Sequence, residues 1–447
     1  MKGRKHLQKF LFWLGSPPVA LLIPSTYVGS CFLLGIVNLS LPLVEPGSVV
    51  YFVSGIVCMV AISCVIIFRS IKKGRFHSNE KIFTHKWKHL WTPFLLLASL
   101  VGFFVVVDYT VSIGYTIGYA DLVALRQEFY RREPTLMGYL ANAFTPFSLM
   151  LLGVTIISFE ELSSIKRVLG LMIGSTIPIV LALGLGGRAS IVDWLILSVW
   201  WLLQRSAFGK PLFPRYKISF IPFVLATIGA ILLINLVSIA RSPQGAMQFK
   251  NAIFFNQNAV SVSVAVSSFM DEIDPRLATS LSEALFYWST PVAAFDKLYE
   301  HWSLDANYIM AISPVLCRRV ASIGLCSLDE VRNMAASILW SYGMWPNIFY
   351  TAPFHLIVSF GKVGAFIAQI ILAIVSSHIY VKARRKREFW LMYLASLFYL
   401  MFFYWFQTIL TAYPLHEYGF YWCAAFLLLR ILSKQKSSLY NGAQLTS

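Results

Sequence analysis

Apolar runs of about twenty residues recur from one end of the chain to the other, separated by short polar or basic segments. A run of that length crosses a hydrocarbon core of about 30 Å as an α-helix, the one open-ended structure that satisfies its own backbone in lipid. The pattern predicts spans near 18–42, 49–68, 90–108, 138–158, 168–186, 189–204, 219–239, 361–381, 389–411 and 417–432. The stretch 344–360, MWPNIFYTAPFHLIVSF, is apolar but holds two prolines. It reads as an interfacial or re-entrant segment or as a further crossing, so the expected fold is an all-α polytopic membrane protein of about 10–12 transmembrane helices. The N-terminal apolar stretch continues too far for a cleavable signal peptide and counts as the first span.

The polar positions define the rest. Residues 1–447 read as one membrane domain with a short outer loop at 109–137 and a large one at 240–345. The large loop does not read as disordered. QNAVSVSVAVSSFMDEIDP and SLSEALFYWSTPVAAFDKLYEHW carry apolar residues at helical spacing, with Ser282 and Ser289 or Thr290 as expected helix starts. Its aromatics, among them Trp288, Phe295, Tyr299 and Trp302, suit stacking on sugar rings or seating a helix on the membrane surface.

Composition adds little that the pattern has not said: 57% hydrophobic and 13% charged residues exclude an ordinary soluble domain. Charge adds more. The net charge of +17 raises a nucleic-acid partner as an option. Yet segments 1–9, 69–88, 159–167, 205–217, 382–388 and 430–436 hold 25 of the 37 basic residues and only 4 of the 20 acids. All the excess positive charge lies on alternate loops, which is the positive-inside pattern and predicts two cytoplasmic termini. The basicity therefore belongs to topology, and no nucleic-acid partner follows from it.

The same partition separates arginine from lysine. On the outer side stand Arg126, Arg131, Arg132, Arg188, Arg241, Arg276, Arg318, Arg319 and Arg332 against Lys250, Lys297 and Lys362. A planar guanidinium fork grips phosphate or carboxylate where bulk charge alone would be served by lysine. These arginines either pair with the outer acids or line an anion site facing outwards.

Cys31, Cys58, Cys64 and Cys423 fall inside predicted spans as apolar filler, whereas Cys317 and Cys326, in CRRVASIGLC, suit a disulfide in an oxidising compartment or two free thiols. The histidines show no HExxH and no outer pair at helical spacing, no GxxxxGK[ST] loop is present, and no GxSxG elbow occurs. What remains is an outward site of arginines, carboxylates and aromatics with no metal or cofactor. Such a site suits group transfer from a lipid-linked pyrophosphate, because guanidiniums stabilise the charge that builds on the leaving group. One carboxylate or histidine would take the proton of an attacking hydroxyl. Candidate bases are His416, Asp193 and Glu128, from a wider set that includes Asp108, Asp121, Glu272, Asp274, His301 and Glu417.

The chain resembles the Wzy-type O-antigen polymerases. The resemblance rests on the multiple spans, the two outer loops with the C-proximal one larger, GLGGRAS at 184–190 before a span, and FHLIVSFGKVGAFIAQ at 354–369 opening a late one. It also rests on Arg332 and Gly343, with ten residues between them in RNMAASILWSYG, a spacing described for the outer loops of that family. Arg126 and Gly138 in the shorter loop depart from it by one residue, so Arg126 is carried by charge and position. The resemblance implies a fold similar to the GT-C glycosyltransferases in a bacterial inner membrane. The substrate it implies is an undecaprenyl-pyrophosphate-linked oligosaccharide polymerised at the periplasmic leaflet, with a chain-length regulator of the Wzz type as partner. Arg126, Arg188, Arg241, Arg318, Arg319 and Arg332 would hold pyrophosphate. An O-antigen ligase acting on lipid A core, and a flippase for the same lipid, stay open as alternatives.

Overall fold

Two helices are apolar on every face, and both lie enclosed. Pro146–Ile157 is buried at each of its positions, and Phe389–Phe403 at nearly all of them. A helix that is hydrophobic all round gains most when other helices surround it completely, and these two form the axes of the molecule.

The computed structural model describes residues 9–39, 46–72, 85–113, 135–184, 189–212, 229, 232, 260–273, 275–303, 317, 324, 328–344, 351–406 and 414–444. Its helices are α1 (Pro17–Leu33), α2 (Pro46–Lys72), α3 (His85–Ile113), α4 (Leu136–Phe144), α5 (Pro146–Ile157), α6 (Ser164–Gly184) and α7 (Ala189–Arg205), followed by α8 (Val264–Glu272), α9 (Pro275–His301), α10 (Leu328–Ser341), α11 (Ala352–Lys386), α12 (Phe389–Phe403) and α13 (Pro414–Gln444). Around α5 pack α3, α6 and α7; around α12 pack α1, α11 and α13, and α7 touches both axes. Among the described residues, four helical stretches have the length and apolarity to cross a membrane: Pro46–Lys72, Trp87–Asp108, Leu136–Ile157 and Ala352–Lys386. The shorter α1 and α12 are apolar as well, and the described residues form a largely helical membrane protein.

The described parts of the basic loops meet at one end of the bundle. There Arg384 Nη1 donates to Gln204 Oε1 at 2.7 Å, Lys210 Nζ pairs with Glu161 at 2.8 Å, and Trp87 Nε1 donates to Arg387 O at 3.0 Å. The opposite end gathers the start of α2, the start of α11, the end of α12 and the start of α13. Ala352 N donates to Trp405 O there at 3.0 Å, and α9 of the large loop packs onto α1, α2 and α11.

Several expectations change. Two strands, β1 (Val37–Leu39) and β2 (Val260–Val262), form an antiparallel ribbon. The predicted first span therefore stops at Leu33, and Val260-Ser261-Val262-Ser263 follows its period-2 alternation, not a helical one. The span expected at 138–158 is present as α4 and α5, joined through helical Thr145 because Pro146 brings no N–H to the ladder. Helix α9 runs unbroken from Pro275, so Ser282, Ser289 and Thr290 lie inside it and start nothing. Its Phe295 packs on Phe52 and its Trp302 on Phe354, which makes these rings mortar between the loop and the bundle. In the 344–360 stretch, Thr351 caps the helix that Ala352 and Pro353 open, and residues 352–359 are buried. Pro353 thus starts a helix where the sequence suggested a break. Gly361, at φ 68°, then redirects α11 by a kink that a side chain would strain. Of the span expected at 219–239, only residues 229 and 232 are described.

Close packing sets one stability expectation. A Cβ at Gly153 of α5 would stand 2.7 and 2.8 Å from Cζ2 and Nε1 of Trp201 on α7. Trp201 has no room to retreat, being fully buried with its ring parallel to Phe389 and edge-on to Trp87 and Trp200. Gly153→Ala is expected to destabilise by about 1–3 kcal/mol, read as a lower Tm of the purified protein. An unchanged Tm would show that α5 and α7 separate freely.

Candidate functional site

Two helix starts meet at the end away from the basic loops. Helix α7 opens just after GLGGR and places Asp193 one turn in, with its side chain 3% exposed. Helix α13 opens at Pro414 and places His416 and Glu417 in its first turn, both buried. His416 Nε2 and Asp193 Oδ2 lie 2.7 Å apart, joined across 223 residues of sequence. Each helix is pinned so that the pair is held in register. Trp194 Nε1 donates to Ser175 Oγ on α6 at 3.0 Å, and Trp422 Nε1 donates to Ala143 O on α4 at 2.7 Å. The carboxylate keeps a second oxygen, Oδ1, buried and without a hydrogen-bond donor among the described residues.

Tyrosines surround the pair. The Tyr404 ring lies 6.4 Å from that of His416, and Tyr421 donates its hydroxyl to Glu417. Beneath, Tyr393 of α12 sends a buried hydroxyl toward α13, where Gly419 leaves space; a Cβ at 419 would lie 3.2 Å from it. Glu417 lies in the first turn of its helix, where exposed N–H groups favour negative charge, and Asp193 follows one turn into its own. A carboxylate that fixes an imidazole through one ring nitrogen leaves the other as the basic one, the arrangement that general-base catalysis uses.

Of the candidate bases, the structure brings Asp193 and His416 together. Glu128 lies outside the described residues, as do Asp121 and Asp274. Asp108 is occupied elsewhere, accepting from Thr135, whose Oγ1 also caps α4 at Gly138 N. Glu272 is exposed on α8. His301 meets the Tyr342 hydroxyl at 2.5 Å. Glu417, from the wider set of candidate bases, is buried beside His416. His355 is buried near the start of α11.

Of the arginines proposed to hold pyrophosphate, Arg126, Arg188, Arg241, Arg318 and Arg319 lie outside the described residues. Arg332 is described, on an exposed face of α10. Gly343 has a local explanation. It takes φ 67° just past α10, where Gly343 N donates to Trp340 O and Met344 N to Leu339 O, each at 2.9 Å. This is the paired bonding that closes a helix at a left-handed glycine. The Arg332–Gly343 spacing thus measures a helix, with the two residues about 16 Å apart along its axis, and the glycine need not touch what the arginine touches. Cys317 is buried and disulfide-bonded, while Cys31, Cys58, Cys64 and Cys423 are not bridged; Cys326 lies outside the described residues.

A second polar cluster escaped the sequence reading. Asp296 and Lys297 of α9 are both about 3% exposed and paired at 3.0 Å, and Ser48 of α2 donates to Asp296 at 2.5 Å. Lys297 also stands over the Tyr342 ring at 5.0 Å, and Lys362 over Tyr299 at 4.1 Å. These contacts staple the large loop to the bundle. The adjacent D-K in AAFDKLYEHW was the available signal, but an acid beside a base usually marks a solvated face. Among the described residues no group of three or more His, Cys, Asp or Glu converges as metal ligands would.

No protein-family model matches the chain, and comparison with curated proteins and with solved structures likewise gives no match.

Proposed function

We propose that the chain is a membrane glycosyltransferase that polymerises undecaprenyl-pyrophosphate-linked oligosaccharide repeat units, as its resemblance to the Wzy-type polymerases implies. The observation that carries this reading is the buried Asp193–His416 pair at the end of the bundle opposite the basic loops. His416, oriented by Asp193 through Nε2, accepts at Nδ1 the proton of the acceptor sugar's hydroxyl. The acceptor oxygen bonds to the anomeric carbon of the donor as the bond from that carbon to the pyrophosphate oxygen breaks. Lipid pyrophosphate leaves with the electron pair, and guanidiniums from Arg126, Arg188, Arg241, Arg318, Arg319 and Arg332 stabilise its charge. Asp193 stabilises the imidazolium until the proton is passed on. In this reading the termini are cytoplasmic, the site faces the periplasm of a bacterial inner membrane, and a chain-length regulator of the Wzz type sets when polymerisation stops.

The test is reconstitution of the purified protein in liposomes with lipid-linked repeat units as sole substrate. A ladder of lengthening chains is expected. Product only on adding lipid A core would make the chain a ligase, and transbilayer movement with no new glycosidic bond would make it a flippase. In the same assay Arg188→Lys, Arg126→Lys and Arg332→Lys, which keep charge and lose the fork, are expected to slow ladder growth about tenfold or more. Wild-type ladders from all three would remove the arginines from the site.

A further inference from the structure

The basic end of the bundle contains a cavity of about 610 Å³ between α2 and α11, lined by Ile66, Arg69 and Ser70 on one side and His378, Val381, Lys382, Arg385 and Lys386 on the other. Three other cations of that region are held by acids. Arg205 pairs with Glu160, Lys210 with Glu161 and Arg430 with Glu388. Arg69, Lys382, Arg385 and Lys386 make no ion pair with any acid among the described residues. Four like charges gathered on one concave surface raise each other's energy unless an anion enters between them.

The walls say which kind of anion. On α11, Ile371, Ile374, His378, Lys382 and Arg385 follow one another at three- and four-residue steps, so they form one stripe, apolar toward mid-helix and basic at the end. Ile371 and Ile374 are exposed, and so is Val65, one turn from Arg69 on α2. An apolar shelf running into a basic cup matches a molecule with an acyl chain on one side of a phosphate. A soluble phosphate would use the cup and leave the shelf bare.

We propose that this cavity binds the phosphodiester headgroup of an anionic glycerophospholipid, with an acyl chain laid along Ile371, Ile374 and Val65. The site is remote from the proposed chemistry. Arg384, beside Arg385 on α11, holds Gln204, eleven residues along α7 from Asp193, or about 17 Å of helix.

The test is native mass spectrometry of the detergent-purified protein with cardiolipin, phosphatidylglycerol or phosphatidylcholine added, and inorganic phosphate as the soluble competitor. Cardiolipin and phosphatidylglycerol are expected to stay bound where phosphatidylcholine does not, and millimolar phosphate to leave them in place. Near a surface each basic side chain contributes about 1 kcal/mol to such binding, so Arg385→Gln should weaken it about fivefold. Lys382→Gln/Arg385→Gln/Lys386→Gln should weaken it on the order of a hundredfold, whereas Lys382→Arg/Lys386→Arg should bind as wild type. Size-exclusion elution reports whether the triple variant is folded; if it is not, Arg385→Gln alone decides. Equal retention of phosphatidylcholine, displacement by phosphate, or undiminished binding by a folded variant would each overturn the proposal.

Discussion

Asp193→Asn is expected to leave a folded protein whose polymer ladder grows slower by about two to four orders of magnitude, the range general-base catalysis contributes. The substitution keeps the size of the side chain and an oxygen able to accept from His416. What it removes is the charge that stabilises an imidazolium and selects the tautomer of the ring. His416→Gln is expected to do the same by removing the base. Because the two act as one unit, Asp193→Asn/His416→Gln should be no slower than either single variant. Substrate binding, made by other groups, should change little. A purely structural pair would behave differently. Removing one partner of a buried hydrogen-bonded pair costs about 1–3 kcal/mol, so Tm would fall in both single variants and activity per folded molecule would hold. That second outcome would remove the pair from the chemistry and leave the proposed reaction without its base.

Asp193 and His416 were each legible in the sequence as an outward acid and an outward histidine; their pairing was not. Hydropathy finds the spans that carry them, but nothing local says that the start of the helix at 189 faces the start of the helix at 414. Tyr393 and Tyr404 were invisible for a related reason, since in a chain with 21 tyrosines an aromatic inside an apolar run looks like filler. The membrane character was plain, because it is written in runs of twenty residues. Which apolar helix faces lipid and which is enclosed was not plain: Pro146–Ile157, buried throughout, and Pro46–Lys72, buried along one stripe, both read simply as hydrophobic. The strand at Val260–Val262 was legible, since Val-Ser-Val-Ser alternates with period two, but the surrounding helical spacing masked it. Arg332 and Gly343 show the reverse, a spacing that suggested a shared site and turned out to mark the length of one helix.

The basic loops hide the second large effect. Arg205 falls among the charges that positive-inside patterning explains as topology, yet its side chain is 0% exposed. Its Nε donates to Pro211 O at 2.9 Å, its Nη1 to Ile156 O, and its Nη2 to Glu160. Ile156 O belongs to the last turn of the enclosed helix Pro146–Ile157, whose final carbonyls have no partner within the helix. Arg205→Ala would leave Ile156 O without its donor and Glu160 without its guanidinium partner. Glu160 is 31% exposed and can turn to water, so its share is screened, and the loss is expected to be about 3 kcal/mol. Arg205→Lys should recover only part of it, because one ammonium cannot reach three acceptors spread to fit a planar fork. Arg430 supplies the control: it also pairs with a glutamate, Glu388, but is 44% exposed. Arg430→Ala should cost less than about 1 kcal/mol after solvent screening. The measurement is Tm of the purified variants together with the fraction surviving detergent extraction. If Arg205→Ala and Arg430→Ala fall by the same amount, Arg205 is a surface anchor of membrane topology and not a clasp on the core helix.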